Sequence, residues 1–162
     1  MAIEKEYTVH PSKGMVIRFK GVMDIDDLYK SIKSWYNDYK YDYTEKENTQ
    51  KNKPQGDSLI IKMYGDREVD DYVKFHLEVD MDEILRVKKF GKRYSGEARI
   101  IIRGKMIFDY RDDWKAVQFL FYLYNNVVLK NKINKFYLVK IYDEMMELNN
   151  LIKSKLGLIN EN

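Results

Sequence analysis

Two adjoining segments of opposite charge carry most of the side chains in this chain that are able to do chemistry. Asp66 to Glu83 holds eight acids (Asp66, Glu68, Asp70, Asp71, Glu78, Asp80, Asp82, Glu83) against Arg67 and Lys74, and Arg86 to Lys105 holds eight bases against Glu97. Clustered carboxylates raise metal binding or acid-base hydrolysis. However, Asp66, Glu68, Asp70 and Asp71 lack the spaced oxygen ligands and the central glycine of a calcium loop, and Asp24, Asp26 and Asp27 read as the start of a helix. Glu97-Ala98-Arg99 is the nearest approach to a nuclease-type Glu-x-Lys, with arginine where lysine is needed. The basic segment offers phosphate contact through Lys88, Lys89, Lys92 and Arg93 on a hairpin and Arg99 and Arg103 on the strand behind it, with Phe90 and Tyr94 interleaved for base stacking. If the two segments are neighbouring strands, their charges instead face one another across the ladder.

Nucleophilic and redox chemistry find little to work with. Cysteine is absent, and the two histidines are His10, before Pro11, and His76, on the polar side of an alternating strand beside Lys74 and Glu78. A solvated strand residue is the expectation for His76, because no serine is placed by motif to use it as a base. The eight glycines form neither G-x-G-x-x-G nor G-x-x-x-x-G-K-[ST]. No catalytic residue, metal or cofactor is therefore assigned, and the expectation is a protein that binds rather than catalyses.

The aromatic residues point toward binding. Trp114 to Leu129 (WKAVQFLFYLYNNVVL) is apolar on nearly every side, and a helix of that kind needs burial on nearly every side. Tyrosine and tryptophan suit surfaces that are apolar yet carry a polar tip, as protein interfaces do. The partner-contact candidates are Trp114, Phe121 and Tyr124 of this run, with Tyr137 and Ile141 of the stripe that follows.

These groups must be positioned by an α+β chain. Gly14 to Gly21 reads as a first strand, and Asp24 as the cap of a helix whose apolar stripe is Ile25, Leu28, Ile32, Trp35 and Tyr39. Residues 44–57 (TEKENTQKNKPQGD) contain no apolar side chain and predict a solvated, mobile loop. Alternation at Leu59, Ile61 and Met63, a turn at Gly65-Asp66, and alternation again from Val73 to Met81 predict half-buried antiparallel strands. Ile84 to Phe90 is a weaker strand, Gly91 to Gly96 a turn, and Ala98 to Tyr110 a long strand with a bend at Gly104. A helical segment over 112–156, broken near 130–134, ends in the stripe Ile133, Tyr137, Ile141, Met145, Leu148, Ile152, Leu156, with Glu144, Glu147 and Lys153 outside it.

The expected architecture is a single α+β domain over 1–162. It is an antiparallel β-meander of about five strands with one N-terminal helix inserted after strand 1 and two C-terminal helices packed on one sheet face. In element order alone this is similar to helix-grip, START-like lipid-binding domains, and the likeness implies a carrier of a small apolar ligand. A net charge of +3, from 29 Lys+Arg and 26 Asp+Glu, is too balanced to argue for a nucleic-acid partner by itself. The lack of cysteine and of an apolar leader or span predicts a cytoplasmic protein. The leading expectation is a non-enzymatic binding or assembly module that forms a homo-oligomer or holds a protein partner through its aromatic C-terminal helices. The carrier and a nucleic-acid-binding role for the basic 86–105 hairpin are the alternatives.

Overall fold

The computed structural model describes residues 6–108 and 136–159. Its order is β1 (Glu6–Thr8), β2 (Met15–Met23), α1 (Ile25–Asp38), β3 (Asp42–Lys53), β4 (Gly56–Glu68), β5 (Val73–Phe90), β6 (Arg93–Phe108) and α2 (Leu138–Lys155). All six strands join one antiparallel sheet in the order β1-β6-β5-β4-β3, with β2 also on β6. β3 to β6 form a meander, and the chain's first two strands close onto the far edge of the last one. Two helices are present among the described residues. The helix expected over Trp114 to Leu129 falls on 109–135, outside them, so the three-helix count is corrected to two for the part described.

Period-2 alternation carries the sheet. Val73, Phe75, Leu77, Val79 and Met81 of β5 and Ala98, Ile100, Ile102 and Met106 of β6 are buried on the helix side, while their odd-step neighbours face away. β5 runs unbroken through Phe90, with register shifts between Met81 and Glu83 and between Arg86 and Lys88. Such bulges let a strand this long follow the twist of its neighbours. The turn expected at 91–96 shortens to two residues, because β6 already begins at Arg93.

Two local expectations are overturned, and at Gly104 the pairing stays in register. Residues 44–57 are mostly strand, with β3 pairing β4 from Asp42↔Asp66 to Lys53↔Gly56. An edge strand bonded on one side satisfies its backbone without burying side chains, and its charged residues block further pairing. Gly65 is no turn: it lies mid-strand, where a Cβ would stand 2.6 Å from Tyr36 Cδ1, so its bareness admits the aromatic ring of α1. Gly104 likewise causes no register shift, and a Cβ there would stand 2.6 Å from Met145 Sδ.

Both helices pack on the same sheet face. Asp24 caps α1, its carboxylate accepting the Asp27 N–H at 3.0 Å, and Ile25, Leu28, Ile32, Trp35 and Tyr36 are buried. In α2 the expected stripe Ile141, Met145, Leu148, Ile152 is fully buried. Polar links hold α2 along its length: Tyr137 donates to Asp70, Glu144 pairs with Arg67, Asn149 reaches Met15, and Lys155 pairs with Asp27. Among the described residues no helix is long and apolar enough to cross a membrane.

Candidate functional site

The outward face of the sheet collects the two charged segments. Glu78 and Arg103 are direct partners across β5 and β6, and the Arg103 guanidinium also bonds Asp80. Arg99 reaches Asp82 at 3.2 Å and Glu83 at 3.8 Å. The acidic and basic runs therefore neutralise one another across the ladder where Glu78 to Glu83 face Arg99 and Arg103. Arg99 and Arg103, proposed from sequence as phosphate contacts, are instead engaged by carboxylates.

The hairpin tip is different. Lys88, Lys89, Lys92 and Arg93 have no carboxylate partner among the described residues. Phe90 is 49% exposed, with the Lys88 ammonium 5.1 Å from its ring centroid, while Arg86 and Lys89 lie 4.8 and 5.8 Å from the Tyr94 ring. Four uncompensated cations and two aromatic rings thus share one β-turn.

Beside that hairpin the outward face forms a cavity of about 540 Å³. Arg18 and Lys20 of β2 line one wall and Lys53 of β3 with Gln55 of the β3–β4 turn the other, with Ile60, Leu85, Asp82 and Arg99 between them. Sequence reading did not find this site. Its lining comes from five strands and the β3–β4 turn, and only the register brings Arg18 directly opposite Arg99.

His76 sits further along the same face and is not solvated. Its Nδ1 lies 2.6 Å from Asp66 Oδ1 and its Nε2 2.9 Å from Glu78 Oε1, with the Tyr64 ring against it and the side chain 14% exposed. With both ring nitrogens held by carboxylates, neither is left to act as a base on a substrate. Among the described residues no three histidine, aspartate or glutamate side chains converge to hold a metal ion.

On the helix side, Glu144, read from its helical position as lying outside the apolar stripe, is 6% exposed. It accepts from Arg67 at 2.6 Å and from the Tyr41 hydroxyl at 2.5 Å, while Arg67 also donates to the Tyr39 carbonyl and lies over the Tyr41 ring. Burial, then the Glu144 charge, push the Tyr41 hydroxyl well above the ordinary tyrosine range; burial does the same to Tyr36, which donates to the Leu77 carbonyl. This network is structural: every polar atom in it is spent on another element of the fold.

The remaining sequence candidates divide. Tyr137 and Ile141 are buried within this chain, at 8% and 0% exposure. Trp114, Phe121 and Tyr124 lie outside the described residues. The apolar side chains that α2 and its entry do expose are Phe136, Val139 and Tyr142, at 57, 51 and 43%. Their three-residue spacing hid them beside the stronger buried stripe. No family model, curated protein or solved structure matches this chain.

Proposed function

We propose that this protein is a non-enzymatic binding and assembly module that associates with a second copy of itself, or with a protein partner, through its C-terminal helical segment. The observation that carries this reading is the exposed row Phe136, Val139, Tyr142, separated from the aromatic run Trp114 to Leu129 by the mostly polar segment 130–135. Large apolar side chains grouped on one side of a helix favour burial against a partner. The charged outward face of the sheet is left free to set orientation. A cytoplasmic setting belongs to the same proposal and suits a cysteine-free chain.

Light scattering on a size-exclusion column tests it. A dimer or larger species at micromolar concentration is expected, returning to monomer in Phe136→Asp/Tyr142→Lys. A wild-type protein that stays strictly monomeric there sinks the self-association reading. The carrier alternative has less support, because Tyr36, Leu77, Ile100, Met106 and Met145 fill the space between helices and sheet with fully buried side chains.

A further inference from the structure

We propose that the groove on the outward face of the sheet is a binding site for a phosphate-bearing ligand of nucleotide size, held between Arg18 and Lys53 over a floor of Ile60 and Leu85. The site lies across the sheet from α2 and does not depend on the assembly reading.

Charge is the first argument. Lys20 is paired with Glu97 at 3.0 Å and Arg99 with Glu83 and with one oxygen of Asp82, whose other oxygen is buried without a partner among the described residues. Arg18 and Lys53 have no carboxylate partner among the described residues, and they stand on separate walls. Arg18 is also the direct cross-strand partner of Arg99. Arg99 is already held by Asp82 and Glu83, whereas Arg18 opposite it is not, so Arg18 is the guanidinium of this pair left to an anion. Phosphate oxygens accept charge-assisted hydrogen bonds from a guanidinium or an ammonium.

Shape and polarity are the second. A cavity of about 540 Å³ falls in the usual range for small-ligand sites. Ile60 and Leu85 are half-buried apolar side chains on the outward face, a surface on which a planar base can pack. Gln55 and Ser58 stand at the edge of that floor as hydrogen-bonding groups for its rim. The unpaired cations of the β5–β6 tip lie at the same end of the sheet. The shared chemistry, a phosphate beside a planar base, is thus offered either by a free mononucleotide or by one residue of a single strand that continues toward the tip.

Isothermal titration of the full chain with AMP, adenosine and an oligothymidylate tests the assignment. AMP is expected to bind and adenosine to bind far more weakly. Arg18→Ser and Lys53→Ser are each expected to weaken AMP binding about tenfold or more, while Lys30→Ser, an equal change of charge on α1, leaves it unaltered. If Lys92→Ser/Arg93→Ser weakens the oligothymidylate and spares AMP, the natural source is a strand; if it spares both, it is a free nucleotide. The proposal is overturned if neither AMP nor the oligothymidylate binds at millimolar concentration, if adenosine binds as well as AMP, or if both groove variants, shown to be folded by circular dichroism, bind like wild type.

Discussion

Glu144 of α2 and Arg67 of β4 form an ion pair at 2.6 Å with side chains only 8 and 15% exposed, joining residues that are 77 apart in the chain. Tyr41, directly after the turn that follows α1, closes the arrangement by donating to the other carboxylate oxygen. Two helices and the sheet thus meet at one buried charge pair.

Removing one partner is far more damaging than removing both. Glu144→Ala leaves the Arg67 guanidinium buried without its carboxylate and is expected to cost about 3–5 kcal/mol. Arg67→Met/Glu144→Leu, which replaces both charges with apolar groups of similar size, is expected to recover most of that loss. Urea unfolding of the two single variants and the double variant measures the coupling directly.

Stability is expected to fall in alkali. Burial raises the folded-state pKa of Tyr36 and Tyr41 above the ordinary value near 10. Their protonated forms are favoured in the folded chain, so the contribution is fully present below pH 10 and is lost as pH climbs beyond it toward the raised folded values. In that window each such tyrosine adds a slope of up to about 1.4 kcal/mol per pH unit. Urea midpoints at pH 9, 10 and 11 check this, and Tyr41→Phe is expected to flatten the decline.

Gly65 and Gly104 differ in what a methyl group would meet. At Gly65 the neighbours are the rigid Tyr36 ring and the Tyr41 Cβ, at 2.6 and 2.9 Å; at Gly104 the nearest is the pliable Met145 thioether. Gly65→Ala is therefore expected to destabilise by about 1–3 kcal/mol, and Gly104→Ala by less, since methionine readjusts. Thermal melts of the two variants rank them; equal losses contradict the argument.

The outward-face ladder is expected to be worth little in salt. Arg103 is 35% exposed and faces Glu78 and Asp80. Arg103→Ala is expected to cost about 1 kcal/mol or less in dilute buffer, with the difference shrinking in 1 M sodium chloride. A cost that stays constant with ionic strength means that packing by the arginine stem, rather than charge, supplies it.

Much of the scaffold is legible in local pattern. Leu28, Ile32 and Trp35 fall on one helical stripe, Val73 to Met81 on one strand face, and Asp24 stands at a helix start, because burial of one face imposes its period on consecutive residues. β3 was illegible for the opposite reason: an edge strand with both faces largely in water imprints no apolar period, and its Lys-, Asn- and Glu-rich segment reads like a loop.

Other features depend on residues distant in the chain. Glu144 looks like any helical glutamate until Arg67 and Tyr41 are brought to it, and His76 looks solvated until Asp66 and Glu78 enclose its ring. Within the basic segment, Arg99 and Arg103 are neutralised by the strand beside them while Lys88, Lys89, Lys92 and Arg93 are not, a division set by where acids occur on the neighbouring strand. Arg18 and Lys53 converge on one groove only through strand order. Sequence alone determined the period of the elements and the sides they bury, since those follow from the hydrophobic effect acting on near neighbours. Tertiary structure decided which charges are cancelled and which remain available, because electrostatic pairing acts through space and depends on register.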